Sequence, residues 1–383
     1  MQADRHMTMR GSHKPSGQPG DPTIDIDVLP PLVSSKAESR GLRIGRWILS
    51  WVVIRRALIA LYIGSTVFVL VKTGIPTDRE ILAGWSVGLA LIPTLGRRRR
   101  EAIIVVLSWL PFLAALFLYD FARAAGYWLY RNRESQPFSV TPQIRVDRFL
   151  GGGRLWTERL QEWLVSDLKD LRARTTVCNA GRLYRDPKAV RWYDVGVAVV
   201  YTSHFFVPYL AAGYLWRKGQ RVWRWYAGSF VVVNLIACII FALVATAPPW
   251  YAACQGLIEQ FPRGLNNHGF RRVGLSFASR VIDKGKGTVN PYAAIPSLHS
   301  SNALLVTVFA WSFMHKRLRF VARPILALFP LAMGFALVYS GEHYLVDVLS
   351  AFGLVAVVLG AGALLRRRKG WRSPWTDGPS FKD

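Results

Sequence analysis

Asn290-Pro-Tyr-Ala-Ala-Ile-Pro-Ser-Leu-His-Ser300 opens an apolar run, which a basic turn and a second apolar run connect to Ser340-Gly-Glu-His-Tyr-Leu-Val-Asp347. His299 and His343 each stand where an apolar helix begins, and Asp347 lies four residues beyond His343. At that spacing a carboxylate shares one helical face with the histidine. It can accept a hydrogen bond from one ring nitrogen, fix the tautomer and leave the other nitrogen as a nucleophile. Pro296 and Ser297 place His299 in the first turn of its helix. Proline suits the first helical position, and the unpaired N–H groups and dipole there favour an anion. A phosphate held at this turn would lie beside His299, which can protonate a leaving oxygen. The stretch therefore predicts phosphoryl transfer, with His343 as nucleophile, Asp347 as its orienting base, His299 as acid and Ser297 among the phosphate-binding residues. Two histidines and an aspartate could also ligate zinc or iron. Asp347 serves equally well as an orienting partner, so no metal and no cofactor are expected.

The rest of the chain reads as a membrane housing for this pair. Hydrophobic residues make up 51% of the 383, beside 49 Lys and Arg. Such a mixture suits an ordinary soluble domain only if the two kinds intermingle, and here they are segregated. The apolar runs are long enough to cross a bilayer, which takes about 20 residues. A net charge of +26 could mark nucleic-acid binding or membrane topology. The clusters at Arg97–Arg100, at Arg217, Lys218, Arg221 and Arg224, at Lys316, Arg317 and Arg319, and at Arg366–Lys369 all abut apolar runs. Topology is the reading adopted, and no nucleic-acid partner is expected. Cys178, Cys238 and Cys254 have no metal-site spacing; Cys178 and Cys254 could pair outside the membrane, but free thiols are the reading adopted.

Taken in order, the chain predicts an all-α polytopic membrane helix bundle of about eight spans. Residues 1–43 are polar and rich in Pro, Gly and Ser, as a disordered cytoplasmic tail is. The first apolar run starts near Trp47, too late and too long for a cleavable leader. Residues 44–130 hold the N-terminal transmembrane helices, including a short candidate at Ile81–Leu95 and a long one at Ala102–Tyr130 that carries Asp120 and Arg123. Those two can pair with each other at i,i+3, or Arg123 can serve as a phosphate ligand. Residues 131–192 form an extracytoplasmic loop. Within it, residues 139–154 read as irregular, with Gly151–Gly153 as a hinge. Trp156, Leu160, Trp163, Leu164, Leu168 and Leu171 then recur at helical spacing, which predicts an amphipathic helix lying in the interface or over the site. Residues 193–365 contain the catalytic core, with spans at Asp194–Trp216, Val222–Ala245, Pro296–Met314, Val321–Tyr339 and His343–Leu365. Residues 366–383 form a basic cytoplasmic tail. His204, inside the first of these core spans, reads by itself as a hydrogen-bonded structural histidine. With the N-terminus inside, the basic clusters fall on the cytoplasmic side, and His299 and His343 share the extracytoplasmic face of a cell-membrane protein.

These residues carry a resemblance. Pro296-Ser-Leu-His299 and His343-Tyr-Leu-Val-Asp347 resemble the second and third signature motifs of the type 2 phosphatidic acid phosphatase superfamily. Tyr201-Thr-Ser-His-Phe205, Ala247-Pro-Pro-Trp-Tyr251, Asp120-x-x-Arg123 and Gln143-x-Arg-x-Asp-Arg148 make the wider pattern similar to its inositol phosphorylceramide synthase-like branch, which includes actinobacterial membrane members. The resemblance implies a phosphohistidine on His343, activation by Asp347 and a proton from His299, and it adds His204 and Asp120 to the substrate-binding candidates. The superfamily's third motif carries an arginine beside a serine well before its histidine, but here Gly341 follows Ser340, and positions 336 and 337 are Ala336 and Leu337. The phosphate must then find its cations elsewhere, because buried charge needs compensation. Arg280, Lys284, Lys286, Arg271, Arg272 and Arg123 are the candidates.

The expected function is a membrane lipid phosphotransferase that moves a phosphorylated polyol, phosphoinositol-like by resemblance, from a phospholipid to a hydroxyl acceptor. The alternative is hydrolysis of phosphatidate or a polyprenyl phosphate. A proton-relaying transporter is the alternative of another class, but the polar groups gather at span ends rather than mid-span, which speaks against it.

Overall fold

The structure is a computed structural model that describes residues 50–73, 140–165, 191–218, 220–259, 265–276, 293–312 and 319–368. It also describes scattered positions between 88 and 121, and residues 261, 278 and 279. The chain divides into two units, Met1–Val53 and Ile54–Asp383. The expectations for the two tails, for the spans at Ile81–Leu95 and Ala102–Tyr130, and for Leu168 and Leu171 lie wholly or largely outside the described residues.

The helices in chain order are α1 (Trp51–Thr73), α2 (Thr141–Leu150), α3 (Trp156–Leu164), α4 (Trp192–Ser203), α5 (Val207–Lys218), α6 (Gln220–Leu243), α7 (Pro249–Cys254), α8 (Leu265–Arg272), α9 (Leu298–Ser312), α10 (Arg319–Tyr339) and α11 (Leu345–Arg368). The only β-bridge among the described residues is a parallel one between Thr246 and Ala293. The all-α membrane bundle is therefore what the sequence predicts. Four described helices are long and apolar enough to cross a membrane, α1, α6, α10 and α11, and α4 with α5 would make a fifth. That fifth is not one straight span, because its halves meet at 50° across His204–Phe206.

The core of the second unit lies where α5, α6, α9 and α11 meet, around the buried Tyr226, Phe230, Leu305, Phe309 and Val355. A second cluster joins α4, α9 and α10 through Tyr201, Ala303, Met333 and Leu337. The α8 helix runs so close to the start of α4 that a β-carbon at Gly269 would meet the Asp194 carbonyl oxygen at 2.1 Å.

Residues 141–150, expected to be irregular, are a helix. Proline in its first turn starts it, and Gly152, at φ +59°, stops it. Gly153 N–H bonds the Arg148 carbonyl across that left-handed residue, so the glycines end a helix rather than act as a hinge. The helix was hidden because its inward face is Gln143, Ile144 and Asp147, which is mostly polar and gives no apolar period. In α3 the buried residues are Thr157, Glu158 and Gln161, while Trp163 is 81% exposed. The Thr157 hydroxyl donates to the Val338 carbonyl (2.9 Å) and the Gln161 amide to the Tyr339 carbonyl (2.8 Å). Helix ends leave their last carbonyls without partners, and α3 uses its polar side to satisfy those of α10.

Candidate active site

The turn between α10 and α11 carries His343, and the chain defines it from both sides. Glu342 N–H bonds the Leu337 carbonyl (2.9 Å) and Gly341 N–H that of Val338 (3.1 Å). This is the paired closure in which a left-handed residue ends a helix. Gly341 has φ +70°, and an added β-carbon would lie 2.1 Å from the ring of the buried Phe261. A larger side chain cannot occupy that position without rebuilding the turn. The Ala247-Pro-Pro-Trp-Tyr251 motif supports the same turn, since Trp250 N–H donates to the Gly341 carbonyl (3.1 Å).

The start of α11 is capped by two carboxylates. Asp347, in the first turn, accepts Tyr344 N–H at Oδ2 (3.0 Å), the return contact of a capping box. The same oxygen lies 3.3 Å from His343 Nδ1. His343 sits just ahead of the helix, so the pair meets across the cap rather than along a helical face. An ionised carboxylate only accepts hydrogen bonds, so the proton is assigned to Nδ1 and the Nε2 lone pair is left available. Asp147 of α2 is the second carboxylate. Its Oδ1 accepts Leu345 N–H (2.7 Å) and its Oδ2 accepts Trp156 N–H (3.0 Å), so one side chain caps both α11 and α3. Burial raises the Asp147 carboxyl above its ordinary value, and the charge of Asp347 adds to that; the N–H donors of Trp156 and Leu345 hold it down in part. Burial likewise raises the Tyr344 phenol well above its ordinary range, with Asp347 and Asp147 contributing, so it stays protonated.

Thr246 sets the approach to α9: its carbonyl accepts Ala294 N–H (3.1 Å) and its hydroxyl accepts Ile295 N–H (3.1 Å). The helix starts at Leu298, so Pro296 precedes the first turn instead of occupying it. Ser297 is fully buried, its N–H donates to the Asp347 carbonyl (3.1 Å), and its hydroxyl accepts Ser300 N–H at 3.4 Å. Ser297 thus ties the two histidine-bearing segments together. His299 follows, its ring 6.0 Å from that of His343, stacked on Tyr201 (5.3 Å, 20°) and 4.0 Å from His204. His204 lies in the break between α4 and α5, and its Nδ1 is buried with no hydrogen-bond partner among the described residues.

The fold therefore brings His204, Ser297, His299, His343 and Asp347 together. Arg271 is half-buried at the end of α8, where its Nε donates to Ser279 (3.1 Å), and Arg272 lies within charge range of Asp194. Arg280, Lys284, Lys286, Asp120 and Arg123 are outside the described residues. The sequence reading did not single out Tyr201, Gln143, Asp147 and Arg148 as site residues. Arg148 lies within charge range of Tyr344. The last three sit in one motif, Gln143-x-Arg-x-Asp-Arg148, which was the available signal. Among the described residues no group of three or more His, Cys, Asp or Glu side chains could hold a metal ion.

Residues 184–361 match the family model described as PAP2 superfamily. The chain is also similar to the phosphoinositol dihydroceramide synthase of Bacteroides thetaiotaomicron, 28% identical over 169 residues that cover 44% of this chain and 54% of that protein. The chain thus spans about half the length of this curated relative. No solved structure gives a significant match. The matched segment contains α4 to α10 and most of α11, and with them all five of the clustered side chains.

Proposed function

We propose that the protein, whose residues 184–361 match the PAP2 superfamily model, is a membrane lipid phosphotransferase acting through a phosphohistidine on His343. One observation carries this reading: Asp347 holds His343 by Nδ1 at 3.3 Å while the ring of His299 stands 6.0 Å away. That leaves room for a phosphorus atom between a free Nε2 and a proton donor.

In the first step His343 Nε2 attacks phosphorus, the bond to the lipid oxygen breaks, and His299 protonates that oxygen as it leaves. In the second step a hydroxyl gives its proton back to His299 and attacks phosphorus, and the N–P bond breaks. If the hydroxyl belongs to an alcohol the outcome is transfer, and if it belongs to water the outcome is hydrolysis. Asp347 balances the positive charge of the His343 ring while Nε2 carries the phosphoryl group and Nδ1 stays protonated, and the ring is neutral again once the N–P bond breaks. The name of the Bacteroides relative supports a phosphoinositol head group carried from a phospholipid to a lipid or glycan hydroxyl. Arg271, Arg280, Lys284, Lys286 and Arg123 remain the proposed cations for the phosphate, and the site faces the extracytoplasmic side.

The test uses purified full-length protein with phosphatidylinositol, phosphatidate and a prenyl pyrophosphate, each with and without an alcohol acceptor. Alcohol-dependent transfer from phosphatidylinositol is expected, unaffected by chelator and reduced at least about a thousandfold in His343→Ala. Normal turnover in that variant would sink the phosphohistidine, and water-only cleavage of phosphatidate would select hydrolysis. For sidedness, Phe149→Cys, at an exposed position, should react with an impermeant thiol reagent from outside intact cells.

A further inference from the structure

The inward face of α2, bonded to the start of α11, carries a buried amide that no part of this mechanism uses. Gln143 is 4% exposed, and both its Oε1 and its Nε2 lack a hydrogen-bond partner among the described residues. Asp347 Oδ1 is in the same condition, with Asp347 itself 0% exposed. A buried polar group left unpaired costs about 1–3 kcal/mol, so a fold selected for stability alone would replace or pair these atoms. They are neighbours: Gln143 is one helical turn before Asp147 on the inward face of α2, and Asp147 is bonded to Leu345, two residues before Asp347. The Gln143 amide acts on the Asp347 carboxyl, although it stands outside hydrogen-bond geometry.

We propose that Gln143 is a positioning residue for the Asp347–His343 pair: its side-chain N–H steers Asp347 Oδ1, while Asp147 fixes α2 to the first turn of the same helix. Asp347 Oδ2 is shared by Tyr344 N–H and His343 Nδ1. With Oδ1 unheld, the carboxylate can turn about its last bond and release the imidazole. A donor on Oδ1 removes that freedom, and Gln143 is the side chain placed to supply it. It closes onto Oδ1 when substrate charge tightens the site, as hydrogen bonds at catalytic groups often do. This role rests on the proposed function, since it matters only if His343 must present Nε2.

The experiment compares full-length wild type with Gln143→Met, which keeps length and volume and removes the amide, and with Gln143→Glu, which puts an acceptor where a donor is needed. With phosphatidylinositol and an alcohol acceptor, Gln143→Met should lower kcat by about 10–100-fold and leave KM within about twofold. Its thermal stability should be equal or higher, because two unpaired polar atoms are gone. Gln143→Glu should lose more activity than Gln143→Met. The second readout is the ring 15N resonances of His343 in histidine-labelled protein, assigned with His343→Gln. Wild type should show the Nδ1-protonated tautomer, and Gln143→Met a mixture of tautomers. Unchanged resonances, unchanged kcat, or a loss of activity that follows a loss of stability would each overturn the positioning role. If the resonances respond while His343→Ala still turns over substrate, the phosphohistidine reading fails, and Gln143 orients the pair without any role in turnover, which overturns the catalytic part of the proposal.

Discussion

The two ends of α11 follow one electrostatic rule and use it differently. Its start carries the carboxylates of Asp347 and Asp147 and its end the arginines Arg366, Arg367 and Arg368, as the helix dipole favours. At the far end the charge is comfortably housed: the Arg366 guanidinium lies 4.1 Å from the ring centre of Trp225 while its neighbours reach outward. At the start the charge is fully enclosed, and Asp347 Oδ1, Tyr344 Oη and both polar atoms of Gln143 have no partner among the described residues. The far end is arranged for stability. The near end tolerates polar groups that cost stability, which is the mark of a site where chemistry sets the arrangement.

Substitutions at the two ends can break this contrast. The largest effect is expected from Asp347→Asn. The amide can still accept Tyr344 N–H, so helix and fold should persist, but it no longer balances an imidazolium. Activity should fall on the order of 10²–10⁴-fold with little change in Tm. Retained activity would reduce the start of α11 to a cap. Next comes Gly341→Ala, which meets the Phe261 ring and forces a β-carbon onto φ +70°. A stability loss of about 1–3 kcal/mol is expected in thermal unfolding, partly recovered by adding Phe261→Ala. An unchanged Tm would mean that the turn has slack. The smallest effect belongs to Arg366→Ala: about 0.5–1 kcal/mol of stability from the lost ring contact, with kcat unaffected. A clear drop in kcat there would show that the ends are coupled.

The same contrast separates what was legible from what was not. The arginines of the far end and the apolar runs announce themselves, because bilayer thickness and charge placement act on consecutive residues. His299, His343 and Asp347 were legible because the groups that set their chemistry are near in the chain: a helix start, a cap, a residue four positions on. Gln143 and Asp147 lay in a stretch read as irregular, where only their motif marked them. Their meaning depends on Leu345, 198 residues beyond Asp147, just as Gln161 of α3 acquires a role only through the Tyr339 carbonyl 178 residues away.

By itself, then, the sequence determined an all-α membrane bundle and the identity of a histidine pair with its carboxylate, since hydropathy, helix capping and imidazole chemistry are local properties of the residues concerned. Only the tertiary structure decided that His204 joins the pair through a broken helix, that Phe261 leaves no room for a β-carbon at position 341, and that α2 and α3 bond the helix ends on either side of His343. Those outcomes arise from contacts between segments far apart in the chain, where unpaired helix-end groups and excluded volume act and leave no periodic trace in either segment alone.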